Sequence, residues 1–431
     1  FIGLCQDTQE IAFDYPAAFF EPTLHHIPRA RPDLQQLDKA IAALKAAKKP
    51  LIISGGGVRY SLAEEILGNF AQARGIPLCE TIAGKGAVLH EHPAYVGGIG
   101  VTGSASANAM AAEADVIVAI GTRLQDFTTG SWTSFKADAQ FISINAARFD
   151  ATKHRAISVV GDARESLREM DAALGDWSAP DTWMEKGRDE MAKWDSLIDE
   201  LQKPSNAHIP SYAQVIKVVQ DNAKTEDLVI TAAGGPPGEV NKCWRVKAPN
   251  TVDTEFGFPC MGYEIPAGWG AAMADENRTP IVIIGDGTYM MMNSDIYSTV
   301  LSGHKIIVIV PDNGGYAIIN RLQNYKGGAS FNNLIKDSRV KTPFSVDFAK
   351  HAEAMGAYGR RVETLGELDE AIKWAQENDK TTVLTIPSDA YEWTPGDASW
   401  DVGVPEISAR DSVNEARKDH DAIRAKQRIG V

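Results

Sequence analysis

Gly285-Asp286-Gly287-Thr288, with Asp312-Asn313-Gly314-Gly315 closing the next apolar run, decides how the chain is read. Ile281 to Ile284 is a β-branched run that stops at Gly285, Tyr289 to Leu301 has the spacing and length of a helix, and Lys305 to Val310 is a second β-branched run. Strand, helix, strand is therefore expected. A crossover of this kind makes the two strands parallel and brings their C-terminal ends to one edge, where open α/β sheets bind ligands. Asp286 and Asn313 are expected to face one another there. An acid and an amide beside bare glycine backbone suit a hard cation such as magnesium, which takes oxygen ligands and shares them with phosphates. Glycine lets those phosphates approach closely. Gly-Asp-Gly is also a common turn, and it is the strand context and the amide that separate the two readings. A dinucleotide fingerprint fails, because Met290 stands where G-x-G-x-x-G needs its third glycine.

Composition bounds the answer. At 431 residues the chain has room for two or three domains with their own cores. A net charge of −14, without a basic cluster interleaved with aromatics, argues against nucleic acid or an anionic membrane as partner. Cys5, Cys79, Cys243 and Cys260 form no C-x-x-C, so neither a zinc site nor a disulfide framework is indicated. Reduced, buried thiols in a cytoplasmic enzyme are expected. No apolar run approaches the roughly 18 residues of a membrane span, and the first residues have no signal-like pattern.

The spacing of apolar runs predicts an α/β chain with two doubly wound parallel-sheet domains. Residues 1–33 read as a strand, Phe1 to Leu4, followed by proline-punctuated linker. Residues 34–175 form a central domain, with a helix from Leu34, the strand Leu51 to Ser54, a helix over Ala63 to Arg74, and strands at Ile76 to Leu78, Val116 to Ile120 and Phe141 to Ile144. Residues 176–207 are a connecting helix, Asp181 to Leu201, and a linker. The second α/β domain covers 208–390, and 391–431 is a tail whose Trp393, Pro395, Gly396 and Trp400 either cover the mouth of the site or pack on the surface. Gly55-Gly56-Gly57, at a strand end before a helix, is placed to bind phosphate or simply to make a turn.

The Gly-Asp-Gly segment and Asn313, 27 positions after Asp286 (313 − 286), resemble the thiamine-diphosphate enzymes. That resemblance implies thiamine diphosphate and Mg2+ as cofactors, with Asp286, the Asn313 side chain and the Gly315 carbonyl as metal ligands. The usual Asn-Asn pair is Asp312-Asn313 here, and the ligand position keeps its amide. Gly285, Gly287 and Thr288 belong to the same diphosphate site, and Gly235 and Pro236, after the strand Leu228 to Thr231, are placed to line it from the adjacent strand end. In Gly257-Phe258-Pro259-Cys260-Met261-Gly262-Tyr263 the resemblance makes Met261 the apolar wedge that bends the cofactor. It makes the Pro259 carbonyl the acceptor for the aminopyrimidine amine, since proline keeps its carbonyl. The alternative for Met261 is an ordinary core methionine.

A narrower resemblance covers essentially the whole chain. Gly121-Thr122-Arg123-Leu124-Gln125-Asp126, Met291-Met292-Asn293-Ser294-Asp295, Tyr316-Ala317-Ile318-Ile319-Asn320-Arg321 and Trp393-Thr394-Pro395-Gly396-Asp397 are similar to the trihydroxycyclohexanedione hydrolases of bacterial inositol catabolism. This implies opening of a six-membered cyclic 1,2-diketone by water to 5-deoxyglucuronate, a small-molecule substrate, and an active site shared between subunits of a dimer or tetramer. Asn320 and Arg321, just after the metal loop, are candidates for substrate hydroxyls or carboxylate, with an ion pair as the other reading of Arg321. No histidine is assigned a role.

The family's activating glutamate lies on a pyrimidine-binding domain that precedes the linker. Nothing in 1–431 resembles that third domain beyond its last strand, so no acid of this chain is assigned as the activator. Two other readings stand beside the first. One is a 2-ketoacid carboligase or decarboxylase of the acetolactate synthase type, whose central domain would bind flavin; Asn145 stands where such relatives often keep an acid. The other is a cofactor-binding or assembly module, inert by itself.

Overall fold

A computed structural model describes residues 2–205, 207–342 and 344–430. Two six-stranded sheets, every pairing parallel, account for the predicted α/β class. The first contains β1 (Pro50–Ser54), β2 (Leu78–Glu80), β3 (Tyr95–Gly98), β4 (Val116–Ile120), β5 (Gln140–Asn145) and β6 (Ile157–Val160), in the order β3-β2-β1-β4-β5-β6. The second contains β7 (Val229–Thr231), β8 (Val252–Thr254), β9 (Ile281–Ile283), β10 (Ile307–Asp312), β11 (Tyr358–Arg361) and β12 (Thr382–Pro387), in the order β11-β12-β10-β9-β7-β8. Helices cover both faces, so central strands such as β1, β4 and β9 are buried at every residue and read as unbroken apolar runs.

Connections in the second sheet reverse direction between β7 and β9, and this is where a doubly wound sheet opens a crevice beyond its strand ends. Ile281 pairs with Ile307 and Ile283 with Ile309, so the segments after β9 and β10 emerge level with each other. That register fixes the site. Asp286 lies three residues past Ile283, and Asp312-Asn313 three and four past Ile309.

The helix Pro236–Cys243 docks the second domain on the first. Lys85 Nζ donates to the Asn241 carbonyl at 3.1 Å, and Asn241 Nδ2 to the Thr102 carbonyl at 2.9 Å. The connecting helix Asp181–Leu201 has the expected bounds and is pinned to the central sheet by Trp183 Nε1 donating to the Pro50 carbonyl at 2.7 Å. Among the described residues, no helix is long and apolar enough to cross a membrane.

Several expectations need correction. The single helix expected over Tyr289 to Leu301 is two, Asp286–Met292 and Asp295–Ser302. Asn293 and Ser294 lie at the break, where the Ile296 and Tyr297 N–H groups donate to their carbonyls in i→i+3 turns. Ile2 to Leu4 form no strand, since no strand of either sheet runs beside them, and Phe1 lies outside the described residues. The strand expected at Ile76 to Leu78 begins two residues later. Cys79 and Cys243 are buried free thiols, but Cys5 and Cys260 are exposed, one in the sheetless N-terminal segment and the other in a loop at a cavity rim.

The glycines Gly55 and Gly57 have a packing reason. A Cβ on Gly55 would stand 2.4 Å from the Gly121 carbonyl oxygen, and one on Gly57 2.6 Å from the Gly121 Cα, so the turn after β1 rests directly on the turn after β4. Asn145 uses both ends of its amide locally, donating to the Thr122 carbonyl at 3.0 Å and accepting from the Ala147 N–H at 2.9 Å.

Candidate active site

A cavity of about 1020 Å3 opens at the C-terminal ends of β7, β9 and β10. Gly235, Pro236, Pro259, Met261, Gly285, Asp286, Gly287, Thr288, Asn313, Gly315 and Arg321 all line it. Asn320 does not. It is buried, with neither amide atom hydrogen-bonded.

Asp286 is the first residue of its helix, with Gly285 as N-cap. Its Oδ2 accepts the Gly315 N–H at 2.6 Å, while Oδ1 is buried without any partner. Asn313 mirrors this: Nδ2 donates to Tyr212 Oη at 2.8 Å, and Oδ1 is buried and unpartnered. Buried polar atoms are nearly always satisfied. Two orphaned oxygens, one from each strand end, are what a hard cation would satisfy. Burial, and after it the neighbouring Asp312, pushes the Asp286 carboxyl up to about 7. Among the described residues no three His, Cys, Asp or Glu side chains gather as a metal cluster, so a set of carboxylate, amide and backbone carbonyl is the arrangement on offer.

The glycine cradle fits a diphosphate. Gly234 has φ +93°, a left-handed conformation that glycine supplies without strain. A Cβ on Gly287 would meet the Tyr316 ring at 2.7 Å, and one on Gly235 would meet Trp393 at 2.8 Å. Opposite the cradle, Met261 is 40% exposed on the cavity wall rather than packed in a core. Glu264 ties the two walls together. It is fully buried, and its carboxylate accepts the Ala233 N–H with one oxygen and the Gly262 N–H with the other, both at 3.1 Å. Burial raises its pKa.

The tail closes one side of the cavity, which decides between the two readings of 391–431. Trp393, Pro395, Gly396 and Trp400 line it. Trp400 Nε1 reaches across to Asp126 Oδ2 at 2.8 Å, and Asn108 Nδ2 donates to the Gly396 carbonyl at 2.8 Å, so the tail bridges both domains. Asp397 sits between two cations, pairing with Lys242 and with Arg321 Nη2 at 2.7 Å, and the Arg321 guanidinium lies 5.1 Å from the Trp393 ring centre. Glu239, buried, accepts from Thr394 Oγ1 at 2.5 Å. The ion-pair reading of Arg321 is thus present in the structure, on the cavity wall. Tyr212, Glu239, Lys242, Glu264 and Asp397 escaped sequence reasoning. Each has a partner 31 to 155 positions away in the chain, and no local spacing marks those pairs.

Residues 37–170 match the family described as thiamine pyrophosphate enzyme, central domain, and residues 232–386 match the C-terminal TPP binding domain of thiamine pyrophosphate enzymes. The chain is similar along its length to proteins named 3D-(3,5/4)-trihydroxycyclohexane-1,2-dione hydrolase. Identity is 34% over 443 residues with that of Geobacillus thermodenitrificans, spanning 96% of this chain and 69% of the relative. It is 35% over 447 residues with that of Clostridium tetani, with the same two coverages. With the Listeria monocytogenes protein it is 34% over 446 residues, 98% of this chain and 70% of the relative.

Proposed function

Because the chain belongs to the thiamine-diphosphate-dependent 3D-(3,5/4)-trihydroxycyclohexane-1,2-dione hydrolase family, we propose that its cavity carries out the hydrolytic ring opening of that cyclic diketone to 5-deoxyglucuronate. The observation that carries the reading is the pair of orphaned oxygens, Asp286 Oδ1 and Asn313 Oδ1, at the glycine-lined end of the cavity. In the net reaction water supplies the new oxygen of a carboxylate. The bond between the two carbonyl carbons breaks, and the second carbon takes up a proton and leaves as an aldehyde. Bound thiamine diphosphate supplies the sink for the electron pair of that bond.

The protein's own part is position and charge. Asp286, Asn313 and the Gly315 carbonyl would hold Mg2+, and Gly235, Pro236, Gly285, Gly287 and Thr288 would take the diphosphate. Met261 would set the bend of the cofactor, and the Pro259 carbonyl would accept from its amine. Arg321, a cation on the cavity wall beside Trp393, would receive substrate hydroxyls or the forming carboxylate; Asn320, buried and outside the cavity lining, is not given that role.

The reading includes a shared active site. Phe258, Met290, Met291, Met292 and Tyr297 are large apolar side chains 44 to 83% exposed near the cavity rim, a surface suited to burial against a pyrimidine-binding domain of a partner subunit. That domain would bring the activating glutamate, since Glu239 and Glu264 are already engaged in buried hydrogen bonds. A cytoplasmic location accords with four free cysteines. The test is direct: with thiamine diphosphate and Mg2+, the holoenzyme should consume the cyclic diketone with release of one acid equivalent per turnover, followed by pH-stat and proton NMR. Condensation of pyruvate without diketone turnover would favour the carboligase reading instead.

A further inference from the structure

Tyr212 has no place in the chemistry above, yet among the described residues it accepts the one side-chain hydrogen bond of the Asn313 amide. It is the first residue of the helix Tyr212–Asn222, whose start is locked by a capping box: Ser211 Oγ accepts the Gln214 N–H and Gln214 Oε1 accepts the Ser211 N–H. Its ring lies 5.5 Å from that of Trp393, and a Cβ on Gly235 would come within 3.3 Å of it. Only 1% of the residue is exposed, so the phenol oxygen is held in place by helix, tail and cradle together.

We infer that Tyr212 is a positioning residue for the metal, holding the Asn313 carboxamide so that Oδ1 faces the cation. The inference rests on the reading of Asp286 and Asn313 as metal ligands. A cation accepts only the oxygen of an amide, which leaves the NH2 group to find an acceptor on the opposite side, and Tyr212 Oη is there at 2.8 Å. Without it the NH2 group would be buried unpaired whenever the metal is bound, and the amide plane would be free to rotate. Partners that orient a metal ligand in this way are typically worth about 10–100-fold in metal affinity. Tyr212 also connects the metal to the tail, since Trp393, which backs its ring, belongs to the segment that closes the cavity.

Mn2+ uptake in the presence of thiamine diphosphate, read from the loss of the free-ion electron paramagnetic resonance signal, tests this on the holoenzyme. Tyr212→Phe, which keeps the ring, should bind Mn2+ about 10–100-fold more weakly. In an Asn313→Ala background the same change should have no further effect. Equal affinity in Tyr212→Phe, or an undiminished effect in the Asn313→Ala background, would overturn the positioning role while leaving the metal site standing. Failure of the unaltered holoenzyme to take up Mn2+ would instead remove the metal assignment and this inference with it.

Discussion

Asp286 and Gly315 are joined across the sheet edge by a 2.6 Å hydrogen bond from the glycine N–H to Oδ2, which leaves Oδ1 buried without a partner. The bond aligns the loop after β10 with the helix after β9, so acid, amide and glycine carbonyl form one unit before any cation arrives. Asp286→Ala should therefore abolish Mg2+-dependent binding of thiamine diphosphate, because the only acid of the set is lost. Asn313→Ala, which keeps the acid, should weaken it. Calorimetric titration of the cofactor into each variant reads both effects, and unchanged affinity for Asp286→Ala would remove the metal assignment.

The same carboxylate makes the metal-free protein sensitive to pH. Its pKa in the folded chain is raised to about 7 from an ordinary value near 3.8. The folded state thus holds a proton that the unfolded chain has lost, and stability is fully present below about 4 and lost as pH rises through 7. In EDTA, the protein should melt at lower temperature at pH 8 than at pH 6, by a margin that Asp286→Asn reduces. Thermal melts of both proteins at the two pH values check the sign; the same margin in both would show that Asp286 is not the group responsible.

Met261→Ala should lower turnover by about 100-fold, the order expected when reacting groups are misplaced by about 1 Å, with little change in cofactor affinity. Metal and diphosphate contacts supply the binding, whereas the Met261 side chain stands 40% exposed on the cavity wall. Steady-state kinetics with cofactor titration separates the two quantities. A variant that loses only thermal stability, at a normal rate per folded molecule, would assign Met261 to packing.

Local pattern carried most of the fold. The strands β1, β4 and β6 are apolar, β-branched-rich runs followed directly by glycine, and the helix Asp181–Leu201 is legible to the residue because Pro180 and Asp181 mark its start. The Gly-Asp-Gly and Asp-Asn-Gly-Gly segments were legible as a site because both follow strands directly, and adjacent strand ends must meet. What escaped the reading was held by contacts far apart in sequence. Tyr212 and Glu264 belong to no local motif that marks them as part of a site. Only the fold brings the one to Asn313, 101 positions on, and the other to Ala233, 31 positions back. The break at Asn293-Ser294 was missed for the opposite reason: two polar residues within a helical period are too weak a signal to separate a break from a solvated turn.

Glu264 anchors the backbone on two sides of the cavity. It opens the helix Glu264–Ala274, and its two oxygens hold the backbone of Ala233, on the diphosphate side of the cavity, and of Gly262, next to the wedge at Met261. The carboxylate has no cationic partner in either contact. It is stabilised by the N–H groups it accepts and by the positive end of its own helix. Glu264→Gln keeps the shape but replaces one acceptor by an NH2 donor, so one of the two backbone N–H groups must face another donor. An unsatisfied buried donor costs about 1–3 kcal/mol, and the loop that loses its anchor carries either the cradle or the wedge. The variant should unfold at lower urea concentration, and in the folded, cofactor-saturated state it should turn over more slowly, because cradle and wedge are no longer held at one spacing. Amide hydrogen exchange at Ala233 and Gly262 should rise at one of the two positions. Full protection at both, with unaltered turnover, would show that the spacing is set by the rest of the fold and that Glu264 is dispensable to it.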